Sequence, residues 1–257
     1  MNKKSSILHP LLFAALATSA SALVIENPGR AEGEKSIDPK GFIAPELVPA
    51  NVTTKAELIA LPTFRTVQIF GAAGKSFEPK QNYIIFTGGN DMVPDVELTF
   101  GGADASPQSG AAITNESFAS SDSMAVRFEA TGNTAPKAKS ITATLKFGDY
   151  NANTFSPAAA GSVKAPSAVS FTLNSLGNRS HMFESIVTVF KDAAGNVLAT
   201  QSLTGLTIPN DAKSRAAFFG YKSSGERIAT VEITATTKSM TFAATPLLGL
   251  DDLGFAR

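Results

Sequence analysis

Cysteine and tryptophan are absent from the 257 residues, histidine occurs twice, and 22 basic side chains balance 22 acidic ones to zero net charge. The lack of cysteine excludes a disulfide scaffold, a thiolate-held zinc or iron–sulfur site and a cysteine nucleophile. Neutrality argues against a nucleic-acid grip, which needs a basic face to offset phosphates. Zinc hydrolysis leans on two or three histidines, and only His181 lies beyond the N-terminal leader. No Gly-x-Ser-x-Gly elbow, Ser-x-x-Lys pair, Gly-x-Gly-x-x-Gly turn or Walker loop occurs, which leaves a triad hydrolase and a nucleotide binder without support. Long apolar runs are missing too. The one at Ile7–Ala17, broken by His9 and Pro10, has about half of the roughly 20 residues that a membrane-spanning helix needs.

What remains is 43% apolar and 17% charged, enough to bury a core, with 18 Phe against 3 Tyr. Lys3 and Lys4, the short apolar run and Ala20-Ser21-Ala22 follow the charged, apolar and small-x-small order of a secretory signal peptide. Cleavage is expected after Ala22. Removing those two lysines leaves 20 basic and 22 acidic residues, a mature charge of −2. The Met-Asn-Lys-Lys opening suits a bacterial leader, so the expected address is periplasm, cell surface or medium.

Residues 23–52 are rich in Pro, Gly and charge, without periodicity, and read as a linker or flexible arm ahead of a domain over 53–257. Thr54-Lys55-Ala56-Glu57 has the pattern of a capping box and predicts a short helix, with a strand over 57–61 as its rival. From Arg65 onward the period is two. Met124, Val126 and Phe128 alternate with polar neighbours, as do Ile141, Ala143, Leu145 and Phe147. The same holds for Val169, Phe171 and Leu173, and for Ala229, Val231, Ile233 and Ala235. Each pattern describes a strand with one buried and one wet face. Strands are also expected over Tyr83–Thr87 and Val96–Phe100.

The strongest hairpin signal is Ile186–Lys191 and Asn196–Leu203 around Asp192-Ala193-Ala194-Gly195, where glycine supplies positive φ and aspartate bonds the turn. Short strands punctuated by turns point to an all-β fold. The expected architecture is an antiparallel two-sheet sandwich, jelly-roll-like, with a short N-terminal helix.

Candidate chemistry is sparse. His181 reads as a solvated loop residue, and Glu129 with Asp149 could serve a glycosidase only as any two of many carboxylates could. Asp149-Tyr150-Asn151-Ala152-Asn153 matches the opening of a calcium loop in Asp149, Asn151 and Asn153, yet lacks the glycine and distal glutamate; an Asn-rich turn is the alternative. Asn90, Asp91 and Asp95 form a similar weak cluster. Tyr150 is the better-placed ligand candidate, either a sugar-stacking ring or a surface turn residue, whereas Tyr83 reads as core. In Leu250-Asp251-Asp252-Leu253-Gly254-Phe255, alternation puts Asp251 with Leu253 and Phe255. If inward, it needs backbone N–H groups with a cation, or calcium; a solvated turn is the other reading.

Three segments carry a resemblance: Phe190-Lys191-Asp192-Ala193-Ala194-Gly195-Asn196-Val197-Leu198-Ala199; Phe218–Ser223 with Arg227–Val231; and Gly249–Ala256. Over about 140–256 the chain resembles secreted bacterial β-sandwich domains of the PEP-CTERM-associated type, similar in pattern to jelly-roll carbohydrate-binding modules. The resemblance implies a structural calcium ligand at Asp251. No Pro-Glu-Pro motif, following apolar span or basic terminus occurs, so free release is expected rather than membrane retention. The expected function is therefore a non-catalytic secreted module that binds extracellular glycan or contributes to the cell-surface matrix. A structural or adhesive protein without a small ligand, and a two-carboxylate glycoside hydrolase, are the alternatives.

Overall fold

The computed structural model describes residues 23–26, 49, 51–67, 76–77, 83–86, 94–101, 111–114, 125–129, 140–175, 183–204, 216–237 and 247–257. Its strands are β1 Leu23–Glu26, β2 Arg65–Val67, β3 Ser76–Phe77, β4 Tyr83–Phe86, β5 Asp95–Gly101, β6 Ala111–Thr114, β7 Ala125–Glu129 and β8 Ser140–Asn151. They continue with β9 Thr154–Pro157, β10 Ala168–Ser175, β11 Phe183–Lys191, β12 Val197–Thr204, β13 Ala216–Lys222, β14 Thr230–Thr237 and β15 Leu247–Ala256, and one helix, α1, spans Lys55–Ile59. These strands form a β-sandwich. The eight-stranded sheet runs β1-β4-β5-β8-β14-β11-β12 with β9 on β8, and the seven-stranded sheet runs β13-β10-β15-β7-β6-β3 with β2 on β15. Apart from the parallel β1–β4 pair, the pairings are antiparallel.

The alternating apolar residues meet between the sheets. Val96 and Leu98, then Ala143, Leu145 and Phe147, then Val231, Ile233 and Ala235 enter from the larger sheet. Val169, Phe171, Leu173, Phe219, Leu250, Leu253 and Phe255 enter from the smaller. Phe147 meets Phe255 edge-on at 6.4 Å between ring centres, Phe190 meets Tyr221 at 5.1 Å, and Phe171 stacks on Phe219 at 5.3 Å.

The β11–β12 hairpin has the expected turn. Gly195 sits at φ 86°, and the Asp192 carboxylate accepts from the N–H groups of Ala194 at 2.9 Å and Asn196 at 2.8 Å. Beyond the turn the register slips between Phe190 and Lys191, leaving Leu198 as an extra residue of β12.

At the N-terminal end the helix prevails over the rival strand, and both halves of the capping box are made. The Thr54 hydroxyl accepts from Glu57 N–H at 3.3 Å while the Glu57 carboxylate accepts from Thr54 N–H at 2.8 Å. The Thr54 hydroxyl also donates to the Glu57 carboxylate at 2.8 Å, and that bond, then the one from Thr54 N–H, holds the Glu57 carboxyl below its ordinary range.

Two expectations are corrected. Leu23–Glu26, assigned by composition to the arm, is a strand paired with Tyr83–Phe86. Leu23 and the β-branched Val24 and Ile25 are too short a run to outweigh the Pro, Gly and charge that follow them. Nor does β10 have a wet face: Ser170 and Thr172 are fully buried. The segment around α1 covers them and forms a second core of Leu58, Phe64, Ala168, Phe218 and Ala256. Glycines make that seat. Ser170 pairs in register with Gly220 on one side and Gly254 on the other. A Cβ at Gly254 would stand 2.5 Å from Phe64 Cζ, and one at Gly220 would stand 2.8 Å from a Leu58 methyl. Thr53 N–H donates to Gly220 O at 2.8 Å and Lys222 N–H to Thr53 Oγ1 at 3.0 Å, so the segment also closes the β13 edge.

Two predictions follow from this arrangement. Phe64→Ala is expected to destabilise by about 3–5 kcal/mol and Gly254→Ala by about 1–3 kcal/mol. The double variant should cost less than their sum in urea unfolding, because removing the ring makes room for the new methyl. The second concerns acid. The Asn196 side-chain amide first, then backbone N–H groups, lowers the Asp192 pKa. A depressed carboxyl contributes stability that is present above its unfolded pKa and lost as pH falls through the folded one. Asp192→Ala should therefore lower the melting temperature at neutral pH, and the gap to wild type should close as pH drops below roughly 4.

Candidate functional site

Alternation that sends one set of side chains into the core sends the other onto the outer face of the larger sheet, and the register aligns them in rows. One row runs Thr99–Thr144–Glu232–Val189–Thr200 across β5, β8, β14, β11 and β12. The next runs Gly101–Thr142–Thr234–Val187–Ser202, and a third Ser140–Thr236–Ser185–Thr204. The hydroxyls of Thr142 and Thr234 are 2.9 Å apart. Charges on this face are tied down. Lys191 Nζ donates to Glu232 at 2.7 Å, and Lys146 lies 3.6 Å from Glu97, its register neighbour. Strand spacing of about 4.8 Å sets the distance between rungs, so neighbouring hydroxyls lie within reach of one extended polar ligand.

By the same alternation Gly148 and Tyr150 continue the outer row of β8. Tyr150 pairs with Phe155 of β9, and both are half-buried. A side chain at Gly148 would collide with the Ser156 carbonyl and stand 2.8 Å from Phe155 Cζ, so the glycine is what admits that ring. Beneath it the buried Asp95 carboxylate accepts from Tyr150 N–H at 2.9 Å, fixing the β8 end. The face thus joins two aromatic rings at one end to a field of hydroxyls and held charges.

Asp149, Asn151 and Asn153 belong to a tight hairpin between β8 and β9. Asn151 pairs with Thr154, and the intervening Ala152 and Asn153 take φ 48° and 66°. That is the two-residue turn with both central residues left-handed. Asp149 faces Lys164 Nζ at 3.1 Å, and the Tyr150 hydroxyl donates to Asn153 Oδ1 at 3.3 Å. Among the described residues no group of three His, Cys, Asp or Glu stands together to hold a metal ion.

The side chains of Asp251, Asp252 and Glu129 lie outside the described residues, as do His181, Asn90 and Asp91 altogether. The β15 backbone is informative even so. Against β10 its register slips between Ser170 and Thr172, and on its other side it leaves β7 at Leu250 and joins β2 at Leu253. Leu250, Leu253 and Phe255 all reach the same core, which unbroken alternation forbids. The bulge supplies the missing residue and puts Asp251 in register with Thr172.

No family model matches the chain, and no curated protein sequence matches it. Among solved structures it is similar to the Caldicellulosiruptor saccharolyticus CBM27-1 in complex with mannohexaose, at TM-score 0.38 and 10% identity over 61% of this chain and 89% of that one. It is also similar to the K3 cleaved adhesin domain of Lys-gingipain from Porphyromonas gingivalis W83, at TM-score 0.34 and 13% identity over 62% and 91%. A third is the arabinose-bound MgGH51 α-L-arabinofuranosidase, at TM-score 0.35 and 10% identity over 58% of this chain; the chain spans 22% of that enzyme.

Alanine in the left-handed region costs about 1 kcal/mol that asparagine largely avoids. Ala152→Asn is therefore expected to raise stability by about 0.5–1 kcal/mol, read as an upward shift of the urea midpoint.

Proposed function

We propose that the chain is a non-catalytic extracellular module that binds a glycan along the outer face of its larger sheet. The observation that carries this reading is the combination on one surface of the Tyr150–Phe155 pair with the register-aligned hydroxyl rows. Sugar rings present apolar C–H faces that stack on aromatics and equatorial hydroxyls that exchange hydrogen bonds with Thr, Ser, Lys and Glu. A surface offering both, with its charges oriented by one another, suits an extended neutral polysaccharide better than a charged or wholly apolar ligand. The carboxylates placed on or beside the face are each held: Glu97 and Glu232 by lysines, Asp149 by Lys164, Asp95 by a backbone N–H. A leader-like Met1–Ala22 supports an extracellular address.

The test is a panel of soluble polysaccharides followed by calorimetry on the ligand that binds. Tyr150→Ala is expected to weaken binding about tenfold, equivalent to ~1.4 kcal/mol, and Thr144→Val by a smaller factor, with both variants folded by circular dichroism. Absence of binding across the panel, or binding that neither variant changes, would remove the proposal.

A further inference from the structure

The edges of the sandwich are protected unequally. An unpaired strand edge offers rows of N–H and C=O groups to any other extended chain, and proteins blunt such edges with short strands, prolines, lysines or a covering segment. Most described edges follow that rule. β3 has two residues, β1 four, and β9 four ending in Pro157. β13 is covered by the bonds from Thr53. β12 does not follow it. Among the described residues the strand ends the larger sheet; it runs eight residues as Val-Leu-Ala-Thr-Gln-Ser-Leu-Thr and contains neither proline nor any charged side chain. Val197 is 59% exposed, and Thr200, Ser202 and Thr204 are exposed on the outer face.

From the inner side β12 is held firmly. Gln201, which is buried, donates through Nε2 to Gly220 O at 2.8 Å and Asn51 O at 3.1 Å, and the Tyr221 hydroxyl donates to Leu198 O at 3.3 Å. The edge is thus a long, rigid, β-prone template anchored at its middle.

We infer that β12 pairs antiparallel with β12 of a second copy of this chain, about a two-fold axis perpendicular to the sheet. Its neutrality selects this partner. In a two-fold pairing every strand meets its own sequence, so a charge near the centre would face its own copy, a repulsive arrangement. A strand built to recruit a different, charged partner gains from complementary charge, and β12 carries none. Self-pairing instead sets Thr and Ser opposite Thr and Ser, which are favourable cross-strand partners. The two larger sheets then merge, and their outer faces become one surface. The inference does not depend on what that surface binds.

Sedimentation of the full chain from low to high micromolar concentration tests it without glycan. The expected result is a concentration-dependent species of twice the 26.7 kDa chain mass. Thr200→Lys combined with Ser202→Lys should weaken it at least tenfold. Pairings centred on Thr200, Gln201 or Ser202 set position 200 against itself, 200 against 202, or 202 against itself, so each confronts two of the new charges. Thr144→Lys, on the same face but three strands inward, should leave the dimer intact. Amide exchange on the wild type supplies a second reading: protection of β12 N–H groups should rise with concentration. A chain that stays monomeric throughout, a dimer that survives the double lysine variant, or β12 protection independent of concentration would overturn the inference.

Discussion

The contact on which this molecule depends is the aromatic layer between its two sheets. With no disulfide available, cohesion between the sheets rests on burial, and rings cross the gap directly: Phe147 against Phe255, and Phe190 against Tyr221. Each ring sits at an inward position of a strand whose neighbours point out. The layer therefore fixes register as well as stability, since a slip by one residue would send every ring to the wrong side. The outer rows of hydroxyls are aligned because the inner rows of rings are.

A sandwich has two outer faces, and here they are treated differently. On the smaller sheet the outer face is covered in part by the chain's own segment around α1. Glycines at 220 and 254 lower the surface, Leu58 and Phe64 fill the space, and Ser170 between them is buried with its hydroxyl finding no partner among the described residues. An unsatisfied hydroxyl costs roughly 1–3 kcal/mol, which the burial of Phe64 and Leu58 offsets. The outer face of the larger sheet is left half-exposed and polar across five adjacent strands. That asymmetry, rather than any catalytic motif, is what directs attention to the larger sheet.

Much of the fold was legible because local rules and tertiary packing agree. The Asp192–Gly195 turn needed only a glycine with positive φ and an aspartate to bond the backbone, and Thr54 with Glu57 needed only each other. Alternation identified the inward residues of β8 and β14 correctly. It failed where a residue's surroundings come from distant sequence. Ser170 and Thr172 look solvent-facing until a segment more than a hundred positions earlier lies over them. The Asp149–Asn153 spacing carries the same residues whether it converges on an ion or turns a hairpin, and the positive φ that shapes the hairpin at Ala152 and Asn153 is not legible in it. Period two over 250–255 presumes a continuous strand, whereas β15 carries a bulge where it exchanges β7 for β2. The outer face itself assembles from residues 99 to 236 on five strands, and no short motif marks it. A signal was present in the recurrent Thr-Ala-Thr of 142–144 and 234–236, but its meaning depends on β8 lying beside β14.

The same logic explains why β12 stands apart. Along most strands an outward position is free to carry charge, and β5, β8, β11 and β14 all use that freedom, placing Glu97, Lys146, Lys191 and Glu232 where they pair with one another. Such pairs contribute little stability at a surface, but they prevent unpaired like charges from meeting across a sheet. Among the described residues β12 has only one neighbouring strand, so a charge there would have gone unpaired at no structural penalty, and lysine would have been the ordinary protective choice. Its neutral, β-branched and hydroxyl-bearing sequence is thus not required by the fold of a single copy. The constraint that accounts for it acts at the edge, between chains.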